Sequence, residues 1–176
     1  MTLSALQHLI RSAQALAEGS EILVLGSASL LASFPELGDP RSPLAATFDA
    51  DLCPTPFDEL TATMLDEALG ESRAYYRIHG YHADILRDSV LETLPEGWRS
   101  RLVPVPETPA ASALDPHDLA AVKLLVGRPK DLALLGDLHS RSLLQAATVR
   151  ERIGMLKLPV ESTPRVLASF RSIFRP

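Results

Sequence analysis

Apolar positions along the chain recur at two different periods, and the change of period marks out the elements. Leu3, Leu6, Leu9, Ile10 and Ala13 are spaced by three or four, which predicts an amphipathic helix over 3–18. EILVLG, 21–26, is an unbroken apolar run ended by glycine, the pattern of a buried strand. SASLLASF predicts a helix beginning at Ser27. Residues 35–45 hold three prolines and a glycine and predict a loop. ATFDADLCP predicts a second strand, stopped by Pro54. A helix follows, with Thr55 as N-cap, Pro56 at its first position, acids in its first turn and Gly70 as its stop. SRAYYRIHGYHADIL reads as a third strand, a turn at Gly80 and a fourth extended piece. LPEGWRSRLVPVPE holds a turn and a short strand at 101–105, and TPAASA reads as a linker. From Leu114 the period is helical. DPHDLAAVKLLVG has Asp115 as N-cap and Gly127 as stop, RPKDLALLGDLH opens at Pro129, and RSLLQAATVRERIGML and TPRVLASFRSIF supply two more helices. The pattern predicts the α/β (α+β) class. A mixed sheet flanked by helices occupies 1–110, and a helical extension at 111–176 packs on it.

Composition narrows the class. The chain has 176 residues, 46% of them apolar and only 5% aromatic, so Leu, Ala and Val must fill the core. A single cysteine, Cys53, excludes an internal disulfide and a Cys-cluster metal site, and fits a reducing, cytoplasmic setting. Nothing approaches the ~18 continuous apolar residues that span a bilayer, so no membrane partner is expected. The net charge of −5 is unevenly spread. Residues 1–110 hold 7 basic and 16 acidic side chains, and residues 111–176 hold 10 and 6. A basic half suits a polyanion such as RNA or a triphosphate, but ordinary solvated helices are the better account of the charge by itself.

Three stretches carry candidate chemistry. Asp49 and Asp51 lie two apart on a predicted strand, so both carboxylates project from one face, ~6.6 Å apart along it. Like charges so placed repel, and a bridging Mg²⁺ (or Mn²⁺) relieves the repulsion. A solvated edge strand is the alternative. Gly26-Ser27 joins a strand to a helix, where backbone N–H groups can meet a phosphate, or where Ser27 simply caps the helix. Lys123, Arg128, Lys130 and Asp131 surround the junction of two predicted helices, and capping electrostatics explains all four. Cys53 and Trp98 read as packing residues. His79 and His82, around the Gly80 turn, read as solvated loop histidines or as metal ligands.

The order of these stretches resembles the nucleotidyltransferase superfamily, with its DNA polymerase β-like fold. There a strand ending in Gly-Ser is followed by a helix, a loop and a strand bearing D-x-D. PHDLAAVKLLVGRPKD, with LPEGWRSRLV and GYHAD, is similar to segments of bacterial nucleotidyltransferase-like proteins related to the AbiEii toxins of type IV toxin–antitoxin systems. The resemblance spans about residues 20–140. It implies that Asp49 and Asp51 bind Mg²⁺, that Gly26 and Ser27 hold the triphosphate, and that Lys123 and Arg128 reach phosphates while Asp131 orients one of them. It implies a third carboxylate on a neighbouring strand. Asp84 is best placed by order, with Asp88 as a rival that reads as turn. The implied reaction moves a nucleoside monophosphate from an NTP to a hydroxyl of RNA, such as a tRNA end, or of a protein. An antitoxin-like partner is implied as well. A nucleotide-binding regulator without turnover is the alternative function.

Overall fold

Helix α1, Leu3–Leu16, forms where the heptad-like apolar spacing predicted it, and Thr2 caps it by accepting from the Ala5 amide. Its apolar stripe, Leu6, Leu9, Ile10 and Ala13, is fully buried. Strand β1, Glu21–Val24, follows, and then a single 3₁₀ turn, Ser27–Ser29, leads into the four-residue α2, Leu30–Ser33. The predicted helix at Ser27 is therefore a short two-part turn, capped at Gly26 rather than at Ser27.

Strand β2, Asp49–Thr55, runs through Pro54 instead of stopping there. It pairs antiparallel with β1, placing Ile22 beside Pro54. Its other neighbour reaches only as far as Leu52, so the missing proline N–H costs no ladder bond on that side. With Thr55 inside the strand, α3 begins later than predicted, at Glu59, and extends to Leu69. Asp58 is its cap, accepting from both the Thr61 amide (2.8 Å) and the Thr61 hydroxyl (2.7 Å).

The predicted third strand is a helix. Residues Ala74–His79 form α4, because Tyr75 and His79, four apart, pack against each other, with Tyr75 stacked on His8 of α1 and His79 edge-on to it. Strand β3, His82–Ile85, comes next. Two 3₁₀ turns, Asp88–Thr93 and Trp98–Arg101, precede β4, Val103–Pro104, and β5, Ala111–Ala113. β5 lies in the stretch that reads as linker. It pairs parallel with β1, and its small residues pack in the core. The helices α5 (Pro116–Val126), α6 (Pro129–Ser140), α7 (Ala146–Gly154) and α8 (Thr163–Ile173) complete the chain.

This computed structural model describes residues 1–157 and 160–175. The protein is α+β, with a five-stranded mixed sheet ordered β3-β2-β1-β5-β4 and flanked by helices. The chain divides into two compact units. One is Met1–Val90 with Arg101–Asp115, and holds the whole sheet with α1 to α4. The other is Leu91–Ser100 with the chain from Pro116 onward, and holds α5 to α8. In the first unit Ala50, Leu52 and Ala83 bury one face of β2 and β3. The residues between them on each strand point the other way. In the second, Leu119, Leu124, Leu135, Leu138, Val149 and Val166 form the core, and Trp98 packs with the Arg99 guanidinium 4.4 Å from its ring centre.

Candidate functional site

The parallel register of β2 and β3 sets Asp49 beside His82 and Asp51 beside Asp84. Residues directly opposite in a ladder share a face, so three carboxylates and one imidazole form a two-by-two array on the side away from Ala50 and Ala83. Asp84 thus occupies the neighbouring-strand position expected of a third carboxylate. Asp88 lies beyond the strand, exposed in a 3₁₀ turn.

Gly26 is bound to this face by geometry. The Leu25 amide donates to the Asp51 carbonyl at 2.8 Å, which draws the following residue against β2. Gly26 then adopts φ 55° and ψ −161°, a conformation that L side chains avoid. A Cβ there would stand 1.8 Å from Asp51 Oδ2. The glycine is what lets the Asp51 carboxylate lie against the backbone. Beyond it the Ser27–Ser29 turn is braced by Ser29, whose hydroxyl donates to the Gly26 carbonyl at 2.8 Å. The two short helical pieces carry little dipole, so any phosphate here would meet the amides of the turn itself.

Charge accumulates on the face. Burial raises the Asp84 carboxyl above its ordinary value, and Asp49, Glu71 and Asp66 push it the same way while His82 opposes them. Side-chain exposure of Asp84 is 50%, which leaves room for a ligand. Among the described residues, no three His, Cys, Asp or Glu side chains converge to grip a metal ion as they stand. The fit to a divalent cation rests on the hard oxygen donors brought into register on adjacent strands.

His82 falls in the extended piece expected after the Gly80 turn, but its burial was not legible. It is buried, not a solvated loop histidine, and only His79 is exposed. Tyr76 packs edge-on against its ring, with centroids 5.0 Å apart. On α1 and around α4, the Tyr75 and Tyr81 hydroxyls lie 2.9 and 2.8 Å from His8 Nδ1. Burial pushes the Tyr75 phenol up to about 12. Cys53 is fully buried, and burial raises its thiol to about 11, the behaviour of a packing residue.

The second unit gathers the other candidates. Lys123 Nζ lies 2.5 Å from Asp131 Oδ1, and Arg128 Nε lies 2.6 Å from Asp131 Oδ2. Lys123 and Asp131 are almost wholly buried, whereas 57% of the Arg128 side chain is exposed. Desolvation alone would raise the Asp131 carboxyl. The hydrogen bonds and charges of Arg128 and Lys123 outweigh it and hold the group below its usual range. Gly127, at φ 73°, ends α5 here, with Arg165 Nη2 donating to the Leu125 carbonyl at 2.5 Å. Lys130 is exposed on the first turn of α6.

No family model, curated protein or solved structure matches the chain.

Proposed function

We propose that the face of β2 and β3 is the metal and nucleotide site of a nucleotidyltransferase. The protein would transfer a nucleoside monophosphate from an NTP to a hydroxyl of RNA, such as a tRNA end, or of a protein. The observation that carries this reading is the register: Asp84 stands opposite Asp51, two strand positions from Asp49, with Gly26 pressed on Asp51.

In this reading Asp49, Asp51 and Asp84 hold Mg²⁺ or Mn²⁺, and Gly26 and Ser27 receive the β- and γ-phosphates on backbone amides. A bound divalent ion supplies charge neutralisation of the triphosphate and activation of the acceptor oxygen. The acceptor oxygen forms a new bond to the α-phosphorus, the α–β phosphoanhydride breaks, and pyrophosphate departs. Asp84, whose carboxyl is raised by burial, accepts the proton lost from the hydroxyl. In the second unit Lys123 and Asp131 fix the α5–α6 corner that presents the exposed Arg128 guanidinium. A cytoplasmic, toxin-type role with an antitoxin-like protein partner belongs to the same reading, on the resemblance of the Lys–Gly-Arg–Lys-Asp stretch.

The test is incubation of the protein with each labelled NTP, Mg²⁺ or Mn²⁺, and total RNA or protein, resolved on a gel. Labelled product is expected from the wild type and is lost in Asp49→Asn and Asp51→Asn. If no NTP labels any fraction, transfer is excluded. A second reading, a nucleotide-binding regulator without turnover, draws on the carboxylates that do not converge among the described residues. It requires Mg-NTP binding in a calorimetric titration without labelled product, and an absence of binding removes both.

A further inference from the structure

His82 occupies the fourth corner of the carboxylate array, and its chemistry is unexpected there. The residue is 8% exposed. Its Nδ1 is buried and has no hydrogen-bond partner among the described residues. A buried polar atom left unpaired destabilises a fold, so shape alone does not explain an imidazole at this corner. Phenylalanine would keep the edge-on packing with Tyr76 and bring no orphaned nitrogen. What the imidazole adds is at its other nitrogen, where Nε2 lies 3.4 Å from Asp84 Oδ1. With Nδ1 enclosed and unpartnered, the arrangement suits the tautomer that carries its proton on Nε2, facing the carboxylate.

We propose that His82 is a positioning residue for Asp84: its Nε2–H engages Oδ1 and so restricts the carboxylate to offering Oδ2 to an ion held with Asp51. The inference rests on the metal-site reading given above. Three carboxylates on adjacent strand positions repel, and Asp84 is the half-exposed member and so the freest to swing away. A donor fixed on β3 by burial and by Tyr76 limits that swing. Partners of this kind, which orient a metal ligand without touching the metal, commonly contribute 10- to 100-fold in affinity. His82 is also local to its target, two residues away on the same strand, so no other element has to move to maintain the contact.

The test compares binding of Mn²⁺ alone, followed by the electron paramagnetic resonance of the free ion, in the full-length wild type, His82→Phe, His82→Gln and His82→Asn. His82→Phe should bind Mn²⁺ roughly 10-fold more weakly. His82→Gln, whose amide nitrogen reaches the place of Nε2, should restore affinity to within about 3-fold of wild type, and His82→Asn, too short to reach, should not. Equal affinities in the glutamine and asparagine variants would overturn the proposal, and that pair decides it even if the phenylalanine variant fails to fold. Wild-type affinity in a folded His82→Phe overturns it as well. If the wild type itself binds no Mn²⁺, the metal-site reading falls and takes this inference with it. That result is distinct from wild-type binding that is indifferent to residue 82.

Discussion

Two residues on the carboxylate face have consequences that single substitutions expose. Gly26→Ala places a methyl group 1.8 Å from Asp51 Oδ2 in a backbone conformation alanine resists. The expected loss is on the order of 1–3 kcal/mol in denaturant unfolding, with Mg-NTP binding lost in calorimetry. Asp84 works in the opposite sense. Its folded-state carboxyl is raised, so the native protein binds its proton more readily than the unfolded chain does. Stability therefore falls as pH rises from the ordinary Asp value through the raised one. Asp84→Asn removes that term. Its melting temperature should exceed that of the wild type at pH 7, the gain should vanish near pH 3, and metal binding should be lost throughout. A wild-type melting temperature at pH 7 equal to that of the variant would refute the electrostatic account. Cys53 offers a simpler check: its enclosed thiol, raised to about 11, should stay unmodified by a thiol reagent until denaturant is added.

At the scale of elements, the corner between α5 and α6 depends on one buried carboxylate that meets two cations. Removing it in Asp131→Ala leaves the Lys123 ammonium buried without its partner, at a cost of about 3–5 kcal/mol. Arg128→Ala should cost under about 1 kcal/mol, because its side chain is largely solvated. Urea unfolding of the two variants distinguishes them. Asp131 is held below its usual range, so its contribution is complete above the ordinary Asp pKa. It is lost as pH falls through the depressed value. The helix ends around this corner were legible: Pro129 at the first position of α6 and Gly127 beyond α5 are strong local signals. The elements misread are those whose state is decided by neighbours. Tyr75, Tyr76 and Ile78 suit a strand by propensity, and the packing of Tyr75 and His79 around His8 makes them helix. Ala111–Ala113 has no strand signal at all, and becomes β5 because β1 offers it a parallel partner.

The whole molecule separates charge between its two units. The unit containing the sheet carries 6 basic and 15 acidic side chains, and the other 11 and 7. If the acceptor is RNA, phosphate contacts fall to the basic unit, and RNA affinity should drop steeply as salt rises from about 50 to about 200 mM. A titration that shows no salt dependence would direct the search toward a protein hydroxyl. By itself the sequence determined the α+β class, the amphipathic α1, the helices from Pro116 onward, and two aspartates sharing a strand face, because each of these follows from local period and local capping. Only the tertiary structure decided that Asp84 stands beside Asp51, that Gly26 lies on the Asp51 carboxylate, and that His82 is buried at the fourth corner. Those facts depend on strand register, which is set by pairing between segments distant in the chain, and no local pattern records it.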